Sequence, residues 1–374
     1  MPEDPAIASL LAQGYHFVDE ETGAIVPPIH LSATFHHNVD EFGYRRESSP
    51  TTAVAERMLR ELNGGPSLAF ASGISAAVAI LETVQTGQHI IAHHTVYQGI
   101  KRWMMRLRDR RGIDVTFLDV RDENAFQSAV RPGQTVLVWT EAVVNPTCEV
   151  VDVKALADRA HAAGARLAVD ATFTPPVTIR PVELGADFVM QSATKYLNGH
   201  SDVVAGIVTV REDGAMFEEM GAVRKLTGSI LHPLDAWLLM RGMRTLPLRF
   251  EKASSNALAI ARHFEHHPKL DGVSYPGLKD HPDYAVAARQ LTGGFGGMMA
   301  LYVKGGRQEA LQVADTVRLI IQATSLGGVE SLIEYRAAFE ADVNPVPENL
   351  LRLSVGIEDA DDLIRDLERA LQKI

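Results

Sequence analysis

The sequence predicts an α/β protein: a large domain built on a mostly parallel sheet, followed by a smaller α/β C-terminal domain. Three observations predict it. Short apolar runs recur at Ser67–Ala71, His89–Ala92, Val115–Leu118, Thr135–Val138 and Arg166–Val169, with helically spaced segments such as Lys154–Ala163 between some of them. Strands separated by helices imply parallel pairing with both sheet faces covered. Ser72-Gly73-Ile74-Ser75-Ala76-Ala77 places a small-residue turn between one such run and a helix start. Beyond Pro233 the pattern changes: a long helical stretch is followed by new strand and turn signals at Ser274–Leu278 and Gly293–Gly297 and by amphipathic helices at Glu309–Ile320 and Asp359–Leu371.

Residues 1–50 read as an arm. Gly14, Gly23, Pro27 and Pro28 punctuate them, and their apolar residues are too scattered to form a core, so the segment needs another surface. Near its end stand Tyr44, Arg45 and Arg46. An arginine fork can hold a phosphate through paired charge-assisted hydrogen bonds, and a solvated basic pair in a loop has the same letters. Thr52–Leu62 has helical spacing and opens the large domain, residues 51–245. At Ser72–Ala77 the glycine lets a phosphate approach the backbone, where free amides and the helix dipole favour an anion; an ordinary helix cap looks similar.

In a sheet of this kind ligands bind beyond the carboxyl ends of the strands. Tyr97, Glu141 with Asn145-Pro146, and Asp170 follow or end three of the runs and so face one rim. Within Val189–Val208 an apolar run ends at Gln191, a polar turn carries Lys195, and a second apolar run begins at Val203. A lysine between two buried runs has its charged form disfavoured and its pKa lowered. Such an amine can attack an aldehyde while Ser192 and Thr194 bond an anionic phosphate, which is the chemistry of a pyridoxal phosphate imine. An exposed hairpin turn is the alternative.

Pro233 to His263 reads as one helix linking the large domain to the C-terminal domain, residues 246–374. There Leu351–Glu358 sets Arg352 in an apolar run. A buried, unpaired arginine costs several kcal/mol, so Arg352 must meet an anion, either a ligand or a structural partner.

Composition narrows the function classes. At 374 residues and 46% hydrophobic the chain can bury a substantial core. A net charge of −11 argues against nucleic acid or an anionic membrane as partner. The single cysteine, Cys148, excludes an internal disulfide framework. No run reaches the ~20 apolar residues of a membrane span, and the amino terminus lacks the marks of a secretion signal, so a cytoplasmic location is expected. No metal is expected.

Ser192-Ala193-Thr194-Lys195-Tyr196 and Asn198-Gly199-His200-Ser201-Asp202 resemble the cofactor-lysine motif of the Cys/Met-metabolism family of pyridoxal-phosphate enzymes, which includes cystathionine synthases and lyases, methionine γ-lyases and homoserine sulfhydrylases. Thr22–Ile29, Ser32–Phe35, Tyr44–Thr51, Pro233–Leu246, Thr324–Leu332 and Leu351–Glu358 are similar to other family segments, so the likeness runs from Gly23 to Glu358. The resemblance implies a fold-type-I transferase with pyridoxal 5'-phosphate on Lys195. It implies that Gly73, Ile74, Ser192 and Thr194 hold the phosphate, that Tyr44 and Arg46 reach the phosphate of a neighbouring subunit, that Asp170 meets the ring nitrogen, and that Tyr97 stacks on the ring and moves protons. It also implies that Arg352, with Ser325 and Asn145, holds the substrate carboxylate, and that a homo-oligomer, a tetramer, shares its active sites.

The implied reaction is β/γ-elimination or γ-replacement on a sulfur amino acid or activated homoserine. An atypical substrate outside the sulfur amino acids, transamination, and a non-catalytic protein on the same fold are the alternatives. Departures from the family pattern fall at Ala171, Gln98-Gly99-Ile100, Thr324 and Ile333–Glu340, the last three where a substrate pocket would be lined.

Overall fold

The computed structural model describes residues 5–36, 42–340, 343–344 and 346–374. Strands β1 (Ser67–Phe70), β2 (His89–His93), β3 (Asp114–Leu118), β4 (Thr135–Glu141), β5 (Arg166–Asp170), β6 (Phe188–Ser192) and β7 (Gly206–Val210) form one sheet in the order β1-β7-β6-β5-β4-β2-β3. The block from β3 to β6 is parallel, and β7 runs antiparallel to both its neighbours. Alternating residues explain why the strands read as continuous apolar runs. Ile91, Val138, Val169 and Val189 enter one buried cluster, while Ile90, Trp139, Ala168 and Met190 enter another across the sheet. Both faces are therefore core.

A second sheet holds β8 (Leu270–Ser274), β9 (Met298–Val303), β10 (Ile321–Gln322), β11 (Leu332–Tyr335) and β12 (Leu350–Ser354), in the order β10-β11-β12-β9-β8. Only its short β10–β11 pair is parallel. Helices Leu246–Phe264 and Ala360–Leu371 pack with Met299, Leu301, Leu351 and Leu353 in a third cluster.

Two helix readings are corrected. The stretch from Pro233 to His263 is two helices, Pro233–Met243 and Leu246–Phe264. Pro247 lacks an N–H, and its ring would clash with the carbonyl of Met243 in a continuous helix, so it is accommodated in the first turn of a new one. The segment read as Glu309–Ile320 ends as a helix at Thr316. Its next amides turn elsewhere: the N–H groups of Arg318, Leu319 and Ile320 donate to the carboxylate of Asp366 at 2.8–3.0 Å, in place of a helical ladder.

The N-terminal segment contains a helix, Ile7–Ala12, that the sequence reading left out; it buries Leu11. Trp237 Nε1 donates to the Pro27 carbonyl at 3.1 Å, and Arg244 donates to the carbonyl of Ala12, so part of the segment lies on its own chain. Ile25 and Leu31 stay 70% and 61% exposed. No helix among the described residues is long and apolar enough to cross a membrane.

Candidate active site

A cavity of about 290 Å³ opens where the carboxyl ends of β4, β5 and β6 meet the loop before β11 and the strand β12. Lys195 enters it from the turn after β6. That turn is closed by Lys195 N–H donating to the Ser192 carbonyl at 3.1 Å and Gly199 N–H donating to the Lys195 carbonyl at 2.8 Å. Across the cavity Lys195 Nζ donates to Ser325 Oγ at 2.7 Å. Burial first, and then the guanidinium charges of Arg352 and Arg336, outweigh the attraction of Glu334 and pull the amine down to about 8. Ser325 has φ 146°, a backbone region open mainly to glycine, and strain of this kind gathers at functional sites.

Asp170 is the last residue of β5 and is 7% exposed. Its Oδ1 accepts from Thr172 N–H at 2.9 Å, and burial pushes the carboxyl up to about 6. Its cross-strand neighbour is Glu141. Glu141 accepts from Tyr97 N–H at 2.8 Å and from Asn145 N–H at 2.7 Å, so one carboxyl positions two rim residues. Burial, followed by the charge of Asp170, raises Glu141 well above the usual carboxylate range. The sequence placed Glu141 on the rim without a task.

Tyr97 caps helix Gln98–Arg111 and is 41% exposed at the cavity edge. A Cβ at Gly99 would stand 2.9 Å from Tyr97 Cε1, so Gly99 makes room for the ring. Opposite lies the turn into helix Gly73–Leu81, where Ser72 accepts from Ser75 N–H. A Cβ at Gly73 would meet Ser192 Cβ at 2.9 Å, which brings these two predicted anion contacts together. Gly73, Ile74, Ser192 and Thr194 all line the cavity. Thr194 Oγ1 is engaged with Ala205, accepting from its N–H at 3.0 Å and donating to its carbonyl at 3.3 Å.

Arg352 is 3% exposed and lines the same cavity. It donates to Asn145 Oδ1 and to the Ser325 carbonyl, each at 3.0 Å, and pairs with Glu334, its cross-strand partner. The arginine thus meets a structural carboxylate, one of the two anions expected for it, and also lines the cavity. Tyr44 and Arg46 lie elsewhere: Arg46 sits over the Tyr44 ring at 5.6 Å and donates to the Lys225 carbonyl, and neither lines the cavity of its own chain.

Sequence reasoning set Ile333–Glu340 where a substrate pocket would be lined, and Arg336 does line the cavity, but it singled out no residue there and missed the charge network. Glu334 accepts from Thr324 Oγ1 at 2.7 Å and pairs with Arg352 and Arg336, and Arg336 pairs in turn with Glu340. The available signal was alternation, since Ile333 and Tyr335 enter the core while Glu334 and Arg336 point the other way, opposite Arg352. His93, His94 and Asp119 also lie close enough to ligate a metal, but Arg121 donates to both oxygens of Asp119 and already neutralises it.

The chain matches the family described as Cys/Met metabolism PLP-dependent enzyme over residues 8–372. It is 36% identical to a cystathionine gamma-lyase of Dictyostelium discoideum, with 100% of this chain and 99% of that protein covered. It is 39% identical to a cystathionine gamma-synthase of Mycobacterium bovis, covering 94% and 93%. Among solved structures, it superposes on a cystathionine gamma-lyase from Lactobacillus plantarum complexed with L-serine with a TM-score of 0.94 at 34% identity, covering 99% of each chain.

Proposed function

The chain belongs to the Cys/Met-metabolism family of pyridoxal-phosphate-dependent enzymes, and from that we propose that it eliminates or replaces a substituent at the β- or γ-carbon of a sulfur amino acid or an activated homoserine. The observation that carries this reading is the convergence of the Lys195 amine, the Asp170 carboxyl and the Arg352 guanidinium on one cavity.

Pyridoxal 5'-phosphate is the cofactor, and the residues fit it. The Gly73 position tolerates no side chain, and Gly206 even less, because a Cβ there would stand 2.0 Å from the Ser72 carbonyl oxygen. That leaves a bare backbone cradle at a helix N-terminus for a phosphate, with Ser192 beside it and the Thr194 hydroxyl fixing the turn. Lys195 would carry the cofactor, Asp170 would meet its ring nitrogen, and Tyr97 would cover its ring. When bound, the cofactor supplies an electron sink for the substrate α-carbon.

The chain's own groups do the rest. Arg352, oriented by Asn145, Glu334 and the Ser325 carbonyl, holds the α-carboxylate. Lys195, with its amine held near 8, removes the α-proton at neutral to mildly alkaline pH and returns a proton as the sulfur or oxygen substituent leaves. The Tyr97 hydroxyl assists at the leaving group, and Ser325 keeps Lys195 aimed.

We further infer an arm at residues 1–50, a large domain at 51–245 and a C-terminal domain at 246–374, in a homo-oligomer, a tetramer, that shares active sites. Exposed Ile25 and Leu31, and the distance of Tyr44 and Arg46 from their own cavity, support a second copy covering the arm. The cytoplasm suits a chain whose one cysteine is free and buried. The deciding experiment treats the cofactor-loaded protein with cystathionine, homocysteine, methionine, cysteine and an O-acylated homoserine, assaying keto acid. Keto acid without added thiol marks a lyase, and turnover only with thiol marks a synthase. Silence toward all of them overturns the proposal.

A further inference from the structure

The cavity that holds Lys195 and Arg352 is lined by a second guanidinium, that of Arg336, which follows directly on β11. Arg336 is 2% exposed. Its carboxylate partners, Glu334 and Glu340, are absent from the cavity lining, so they buttress the guanidinium from behind while it faces inward. Arg352 has the same arrangement with Glu334.

The buttress is itself anchored. Glu340 accepts from Asn344 Nδ2 at 2.8 Å, and Asn344 accepts from the buried Lys101 at 2.9 Å and donates to the Val96 carbonyl at 2.8 Å. Arg336 is therefore fixed against the rim that carries Tyr97.

Both guanidiniums are incomplete. Arg336 Nε and Arg352 Nε are buried with no hydrogen-bond partner. A buried donor left unmade costs about 1–3 kcal/mol, more on a charged group, and an acceptor brought by a ligand would satisfy it. One orphaned guanidinium donor suits the α-carboxylate of an amino acid. A second, in the same cavity, has no task in the reaction at the α-carbon. Its charge also registers at Lys195, whose amine it helps to lower.

We propose that Arg336 is a second anion-binding group of this active site and selects amino-acid substrates whose side chain ends in a carboxylate. A guanidinium fork recognises a carboxylate with directed, charge-assisted hydrogen bonds that a methyl terminus cannot make, so the discrimination is against neutral substrates of equal length. This rests on the proposed function, with Arg352 holding the α-carboxylate.

The test is equilibrium binding to the cofactor-loaded enzyme by calorimetry, using ligands without a leaving group. L-2-aminoadipate is compared with L-norleucine, and L-2-aminopimelate with L-2-aminoheptanoate; each pair differs only in a terminal carboxylate against methyl. At least one acidic member should bind about tenfold or more tightly than its neutral partner, the size of one charge-assisted hydrogen bond. Arg336→Met should bring that ratio close to one, and Arg336→Lys should keep part of it, with cofactor absorbance confirming that each variant stays loaded. Equal affinities within both wild-type pairs overturn the inference even if the variants fail to fold. An acidic preference that survives in Arg336→Met overturns it too, as does a variant that moves only the pH profile. If the enzyme turns over sulfur amino acids yet shows no acidic preference, the inference fails and the proposed function stands. If no amino acid reacts or binds, both fail.

Discussion

Lys195 Nζ donates to Ser325 Oγ across 2.7 Å, a bond between residues 130 positions apart that ties the turn after β6 to the loop before β11. The amine at the centre of the cavity is thus aimed by the C-terminal half of the chain. Ser325→Ala should lower kcat about 3- to 10-fold, the worth of one such hydrogen bond. KM should move less, because the Ser325 backbone carbonyl still holds Arg352. Steady-state kinetics on the substrate identified in the panel would check this.

The pH dependence of cofactor uptake follows from the amine. Burial lowers Lys195 from 10.5 to about 8, and only the neutral amine attacks an aldehyde. Apoprotein mixed with pyridoxal phosphate should take it up at a rate that rises through pH 8 and flattens above, as read by stopped-flow absorbance. A midpoint near 10 would mean that the lysine is not desolvated.

Asp170 should trade stability for function. Its folded pKa, about 6, lies above the ordinary aspartate value of 3.8, so its ionisation opposes folding. The penalty is absent below pH ~4, grows between 4 and 6 and is complete above 6. In apoprotein at pH 7.5, Asp170→Asn should therefore raise stability, by up to ~3 kcal/mol, while the same change in loaded enzyme should cost on the order of 100-fold in kcat. Urea unfolding of apoprotein at pH 4.5 and 7.5 tests the sign, since the gain should shrink at the lower pH.

Arg352 should matter twice. Arg352→Met leaves Glu334 buried with one guanidinium instead of two, at a cost of ~3 kcal/mol in stability, and removes the hold on the α-carboxylate. KM should rise on the order of 100-fold. Arg352→Lys should restore much of the stability and little of the affinity, because an ammonium cannot reproduce the bonds to Asn145, the Ser325 carbonyl and Glu334 together.

Gly99→Ala probes the room made for Tyr97. The new Cβ would crowd Tyr97 Cε1 at 2.9 Å and Ile74 Cδ1 at 3.0 Å, so the ring must shift. Cofactor affinity should fall about tenfold with little change in melting temperature, because Tyr97 is partly exposed and moves freely outward. Equilibrium dialysis of the cofactor would measure it.

The sequence alone determined the α/β alternation, the strands of the first sheet to within a few residues, and most, though not Arg336, of the charged groups that converge on the cavity. Local letters were enough there. Parallel strands covered on both faces are uninterrupted apolar runs, and polar residues just after them sit by geometry at one rim, which is how Tyr97, Asn145, Asp170 and Lys195 became legible. Local helical spacing failed where something distant intervened, as when Asp366 claimed the amides of residues 318–320. The second strand set also hid its charge network. Whether Arg352 meets a ligand or a carboxylate depends on the register that puts Glu334 opposite it, and the inward aim of Arg336 depends on Glu340, Asn344 and Lys101. Those partners come from separate parts of the chain, and burial makes their pairing obligatory only once packing has brought them together.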